Sequence, residues 1–229
     1  GSPAASETIH RAVEWARTVQ KKPVVVSMGS VAASGGYWVS AGASKIYAMD
    51  GTLTGSIGVV GGKLNFQDLW KKLDVQWDSV KYGKNAGLMS FNTPFTASEQ
   101  KQFEETLDSV YAMFINHVVK GRHMTIEKAE SIAKGHVWTG RQALKLGLVD
   151  EIGGLDKVLD DEAKRLGVTS RDKLQVVHLP AAQGAMDMIM HMLSVQSSSS
   201  FSIRDIGALT ELGAARPLVI DTTHFTLQH

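Results

Sequence analysis

Apolar and polar positions along the chain change period several times, and each change predicts an element. Gly1 to Glu7 lead into a stretch with Ile9, Val13, Trp15 and Ala16 at helical spacing, so an amphipathic helix precedes Lys21-Lys22-Pro23. Val24-Val25-Val26 is a β-branched run and predicts a buried strand. It breaks at Gly29, and Tyr37-Trp38-Val39 begins another helical pattern. Lys45 to Met49 predicts a short second strand, Leu64 to Leu73 a helix, and the alternation of Val75 to Lys81 a strand. Thr96-Ala-Ser-Glu is a capping signature and opens a helix running to about Arg122. Thr125, Gly140 and Leu155 each start a further helix, with an extended piece at Leu148-Val149. Strands alternating with helices argue for an α/β layered fold. After Gly167, Leu174 to Leu179 predicts an edge strand. A Met-rich helix over 181–195, a serine linker at 197–200 and a tail over 201–229 follow.

Composition narrows the chemistry. At 229 residues the chain holds one large domain, or a domain with an appendage. Lys+Arg number 24 against 23 Asp+Glu, and no basic run points to nucleic acid. There is no cysteine, which excludes disulfides and thiol chemistry. No uncharged apolar run approaches the ~20 residues of a spanning helix, and no signal peptide is visible, so a membrane anchor is expected outside this chain.

The chemical centre of the pattern is Ser27-Met-Gly-Ser-Val-Ala-Ala-Ser-Gly-Gly-Tyr-Trp38. A serine between a strand and a helix start has its hydroxyl beside free backbone N–H groups, the donors an acyl-transfer oxyanion needs. The same stretch also fits a glycine-rich turn with an incidental serine. Residues 51–62 hold five glycines, but neither a dinucleotide fingerprint nor a phosphate loop. His10, His117, His123 and His136 stand at no spacing that identifies a triad. Gly-x-Ser-x-Gly and His-Glu-x-x-His are both absent.

Four motifs, in order, carry a family resemblance: Ala32-Ala-Ser-Gly-Gly-Tyr37, Thr52-Leu-Thr-Gly-Ser-Ile-Gly-Val59, Gly135-His-Val-Trp-Thr-Gly140 and Ala143-Leu-Lys-Leu-Gly-Leu-Val-Asp150. Over about residues 1–165 the chain resembles the signal peptide peptidase A family, serine proteases with a Ser/Lys dyad. The resemblance implies a Clp protease/crotonase-like fold over 1–167, truncated at its front, with 168–229 as a C-terminal extension. It implies Ser34 as nucleophile, Ser56 as the hydroxyl that holds the lysine, and amides at Gly35 and Gly1 as the oxyanion hole. A chain-terminal Gly1 carries an amine in place of the family's amide. The resemblance implies no metal or cofactor. Its implied substrates are hydrophobic peptides, chiefly residual signal peptides. It also implies a homo-oligomeric ring at the bacterial cytoplasmic membrane, with the catalytic domain on the periplasmic side.

The general base departs from the pattern. A lysine base needs a pKa lowered by roughly 3 units from about 10.4, a cost of about 4 kcal/mol. Family members place it about 52 residues after the serine, and here that position is Ala86. Three sources are open: the missing half of a tandem-domain protein, an engineered Lys→Ala exchange at 86, or Lys84. Lys84 would lie two residues back on the same strand face, about 6.6 Å away. A phage-type capsid maturation protease and a non-catalytic oligomerisation module are the alternative readings. A crotonase-type acyl-CoA enzyme lacks an obvious acid/base carboxylate pair.

Overall fold

The computed structural model describes residues 1–179 and the backbone of residues 220–221. The Met-rich stretch, the serine linker and the rest of the tail lie outside the described residues. Helix α1 (Pro3–Thr18) opens with Ser2, whose side chain accepts from the Ala5 amide, and with Pro3 in the first turn, where its missing N–H costs nothing. Strand β1 (Val25–Met28) is buried at all four positions. Its three apolar residues, with only the small Ser27 between them, suit the inner strand of a parallel sheet, covered on both faces. Its neighbours are β3 (Lys45–Ala48) and, through backbone pairing alone, β7 (Ile220–Asp221). With β6 (Glu151–Ile152) at one edge the order is β6-β3-β1-β7, parallel throughout.

A second sheet sits across the Gly29–Ser30 break. It pairs β2 (Val31–Ala33) parallel to β4 (Leu53–Gly55), and β4 antiparallel to β5 (Val137–Thr139). Between the sheets the chain turns into α2 (Gly35–Ala41), whose Tyr37 and Trp38 enter the core with Ile46, Ile57, Phe114 and Val118. The Tyr37 hydroxyl donates to the Leu148 carbonyl at 2.9 Å, tying α2 to a segment more than a hundred residues away. Helix α4 (Ala97–Arg122) carries the expected capping box, Thr96 with Glu99, and lies on α2. Their approach is so close that a Cβ on Gly121 would fall inside the Ala41 carbonyl. Helices α5 (Ile126–Ile132), α6 (Gly140–Leu146) and α7 (Leu155–Arg165) complete the domain.

Several expectations are corrected. Residues 75–81 form no strand. Val75, Trp77 and Val80 are exposed, and alternation without a paired neighbour or a core face leaves the backbone nothing to bond. The preceding helix is short, α3 (Gln67–Lys72), and buries none of its residues. Residues 174–179 also carry no strand; they follow a 3-10 turn at Arg171–Lys173. Leu148 and Val149, expected as an extended piece, are buried and form no strand; the strand there is β6, beginning at Glu151. No helix among the described residues is long and apolar enough to cross a membrane.

Candidate active site

Strands β2 and β4 run in register from Val31 opposite Leu53 to Ala33 opposite Gly55. The next residues are therefore Ser34 and Ser56, side by side at the ends of two paired strands. The Ser34 amide donates to the Gly55 carbonyl at 2.9 Å, and the Ser56 amide to the His136 carbonyl at 2.7 Å. Both serines have positive φ, 53° and 48°. Non-glycine residues rarely adopt this region, and the strain persists only where surrounding bonds enforce it. Ser34 is the N-cap of α2, yet its side chain makes no capping hydrogen bond, so the hydroxyl is left to the cavity. The first helical bond is from the Trp38 amide to the Ser34 carbonyl. The Gly35 and Gly36 amides thus precede the ladder, where donors remain free.

These groups open into one cavity of about 730 Å³. Ser34, Gly35, Ser56 and Gly1 all line it. Gly1 lies directly against Gly35: a Cβ on Gly1 would meet the Gly35 Cα at 3.6 Å and its amide nitrogen at 3.9 Å. A side chain on Gly35 would clash with α1, because its Cβ would come within 2.6 Å of Ser6 Oγ. The remaining walls are mainly apolar, with Val59 and Val60 on one side and Leu107, Val110 and Phe114 of α4 on the other.

Lys84 is not among the lining residues. It is exposed in a run of turns over residues 83–89, and the strand that would have carried it does not form. Ala86 lies in the same turns, its amide donating to the Gly83 carbonyl at 3.3 Å. Lys81 reaches over Gly87 toward Glu99. Sequence reasoning passed over three polar residues that do line the cavity: Asp108, Tyr111 and Lys134. Lys134 also has positive φ, 57°, and immediately precedes Gly135, whose amide donates to the Ile57 carbonyl at 2.9 Å. Its adjacency to the Gly135–Gly140 motif was the available signal. Tyr111 has a buried hydroxyl without a hydrogen-bond partner among the described residues. No cluster of His, Asp or Glu among the described residues is arranged to hold a metal ion.

The comparisons agree on a family. The model for peptidase family S49 matches residues 16–169. Protease 4 of Salmonella typhi is 36% identical over 197 residues, covering 85% of this chain and 31% of that protein. A putative signal peptide peptidase SppA of Enterococcus faecium is 39% identical over 147 residues, covering 64% and 43%. The chloroplastic serine protease SPPA of Arabidopsis thaliana is 33% identical over 180 residues, covering 78% and 26%. The chain thus spans between a quarter and a half of the length of these relatives. The matched span contains both strained serines, strands β1 to β6 and the cavity wall on α4, and on that ground the chain belongs to peptidase family S49, the signal peptide peptidase A family.

Proposed function

We propose that this chain carries the serine half of a Ser/Lys endopeptidase site on a Clp/crotonase-like fold. The observation that carries the reading is the pairing of Ser34 and Ser56 at adjacent strand ends, both strained and both opening into one cavity. Ser34 Oγ attacks the scissile carbonyl while its proton passes to a neutral lysine held by the Ser56 hydroxyl. The oxyanion is met by the Gly35 amide and, where residue 1 is linked to a preceding residue, by the Gly1 amide. The amine leaves with the lysine's proton, and the same lysine activates the water that hydrolyses the acyl-enzyme.

Ala86 at the family's lysine position and Lys84 in an exposed turn support a base supplied from outside this chain, by the other half of a tandem-domain protein. The apolar walls on α4 and at Val59 and Val60 support hydrophobic peptides as substrates. The name of the Enterococcus relative supports signal peptides among them. What the family resemblance implies extends the proposal: the parent protein works as a ring at the bacterial cytoplasmic membrane, with this domain on the periplasmic side. Residues 1–167 are the peptidase domain, and 168–229 its extension.

The test is cleavage of a fluorogenic hydrophobic peptide by the chain combined with the lysine-bearing half. Ser34→Ala should abolish turnover, and Ser56→Ala should lower kcat by about 100-fold with little change in KM. Turnover surviving Ser34→Ala would refute the assignment.

A further inference from the structure

Helix α1 runs parallel to α2 and touches it at three levels. At the first, Gly1 and Ser6 pack on Gly35, forming the near wall of the cavity. In the middle, His10 Nδ1 donates to the Trp38 carbonyl at 3.1 Å, and Trp38 Nε1 donates to the Glu7 carboxylate at 3.2 Å. At the last, Arg17 donates to the Gly42 carbonyl, and the His10 ring packs on Gly42, where a Cβ would meet Cε1 at 2.8 Å. Helix α4 closes the group from outside: His117 Nε2 donates to Glu7 at 2.7 Å, and its ring centroid lies 3.9 Å from that of His10.

We propose that Glu7, His10 and His117 form a clasp that positions α1, and with it the Gly1–Ser6 wall of the Ser34 cavity, and that protonation of His10 opens it. The importance of that wall for catalysis rests on the protease reading; the clasp itself does not.

A carbonyl can only accept, so neutral His10 carries its proton on Nδ1. His10 is 4% exposed, and its ring is sandwiched against the other imidazole. A proton added to His10 would charge a ring in a poorly solvated site, 3.9 Å from a second imidazole. Both Glu7 oxygens are already engaged, one by Arg11 and the other by His117, each at 2.7 Å. Among the charged groups facing His10, α1 supplies Glu7 and the more distant Glu14, and α4 supplies His117; α2 meets the ring with a carbonyl and a glycine. Burial first, and His117 second, hold His10 below its ordinary 6.5. Burial pushes the Glu7 carboxyl up, but hydrogen bonds from Arg11, Trp38 and His117 outweigh it and hold the group below 4.5.

Both shifts act in the same direction. Unfolded His10 takes a proton as pH falls through 6.5 while the folded ring resists, so docking weakens from there down through the lowered value. Glu7 contributes above 4.5, and its share is lost as pH falls through its own lowered value. The clasp is therefore fully closed near neutral pH and opens on acidification.

The test is hydrogen exchange of the full chain, read as protection corrected for the intrinsic pH dependence of exchange. Protection of the α1 amides should fall by about tenfold between about pH 7.5 and about pH 5, while β1 and β3 hold. His10→Gln with His117→Gln keeps both side-chain donors without a titrating group and should hold α1 protection flat. His10→Gln alone should hold it flat as well, because the titrating ring of the clasp is then gone. Wild-type α1 protection that follows β1 and β3 at every pH would overturn the clasp. Acid loss undiminished in the glutamine variants would overturn the imidazoles' part in it. Neither readout involves Ser34, so an unreactive serine would sink the protease reading alone.

Discussion

Substituting Gly35 tests how tightly α1 is pressed against the start of α2. Its φ is not positive, so alanine fits the backbone, and a glycine-to-alanine change in a helix gains about 0.5–1 kcal/mol. Against that stands one contact: the new Cβ would lie 2.6 Å from Ser6 Oγ, on a side chain that is itself buried. The other neighbours, Gly1 Cα and Ser6 Cβ, are at an ordinary 3.8 Å. Overpacking of this kind costs about 1–3 kcal/mol, so the clash wins and Gly35→Ala should destabilise by about 1 kcal/mol. In a domain of this size that lowers Tm by about 2–4 °C. Removing the Oγ with Ser6→Ala removes the clash and leaves the helix gain. The same Gly35→Ala change should then stabilise by about 0.5 kcal/mol. Thermal and urea unfolding of the four proteins in the cycle measures this inversion of sign. If Gly35→Ala destabilises equally in both backgrounds, the Ser6–Gly35 contact is not what forbids a side chain there.

Three further outcomes follow from the same packing. Tyr111→Phe deletes a buried hydroxyl that has no hydrogen-bond partner among the described residues, so stability to urea should stay level or rise by up to about 1 kcal/mol. If that hydroxyl meets the substrate, the variant should bind a hydrophobic peptide less tightly, read by titration with a labelled peptide. Gly121→Ala drives a Cβ into the Ala41 carbonyl, a backbone atom that cannot rotate away, and should cost about 3 kcal/mol by denaturant unfolding. Tyr37→Phe leaves the Leu148 carbonyl without its donor in the core and should cost about 1–3 kcal/mol, measured the same way.

What the sequence disclosed depended on how local the cause was. Val25–Met28 was legible because an inner parallel strand is rich in β-branched apolar residues, here Val25 and Val26, and α4 because its capping box is written in four consecutive residues. Strands β4 and β5 were hidden because three-residue pairings are too short to show a period. The 75–81 stretch misled for the opposite reason: its alternation is real, but no second strand among the described residues meets it. With that strand goes the register argument for Lys84. Asp108, Tyr111 and Lys134 reach the cavity only through the crossing of α4 over α2 and the return of the chain past Ser56. No spacing along the chain encodes that crossing.

The central claim is that Ser34 is a nucleophile waiting for a base. The most direct measurement is the intact mass of the chain after incubation with a fluorophosphonate, alone, with the lysine-bearing half, and as Ala86→Lys. The account predicts a single adduct when the lysine-bearing half is added, none from the chain alone or from Ala86→Lys alone, and loss of the adduct in Ser34→Ala. No adduct with the lysine-bearing half present, or one that survives Ser34→Ala, would contradict it.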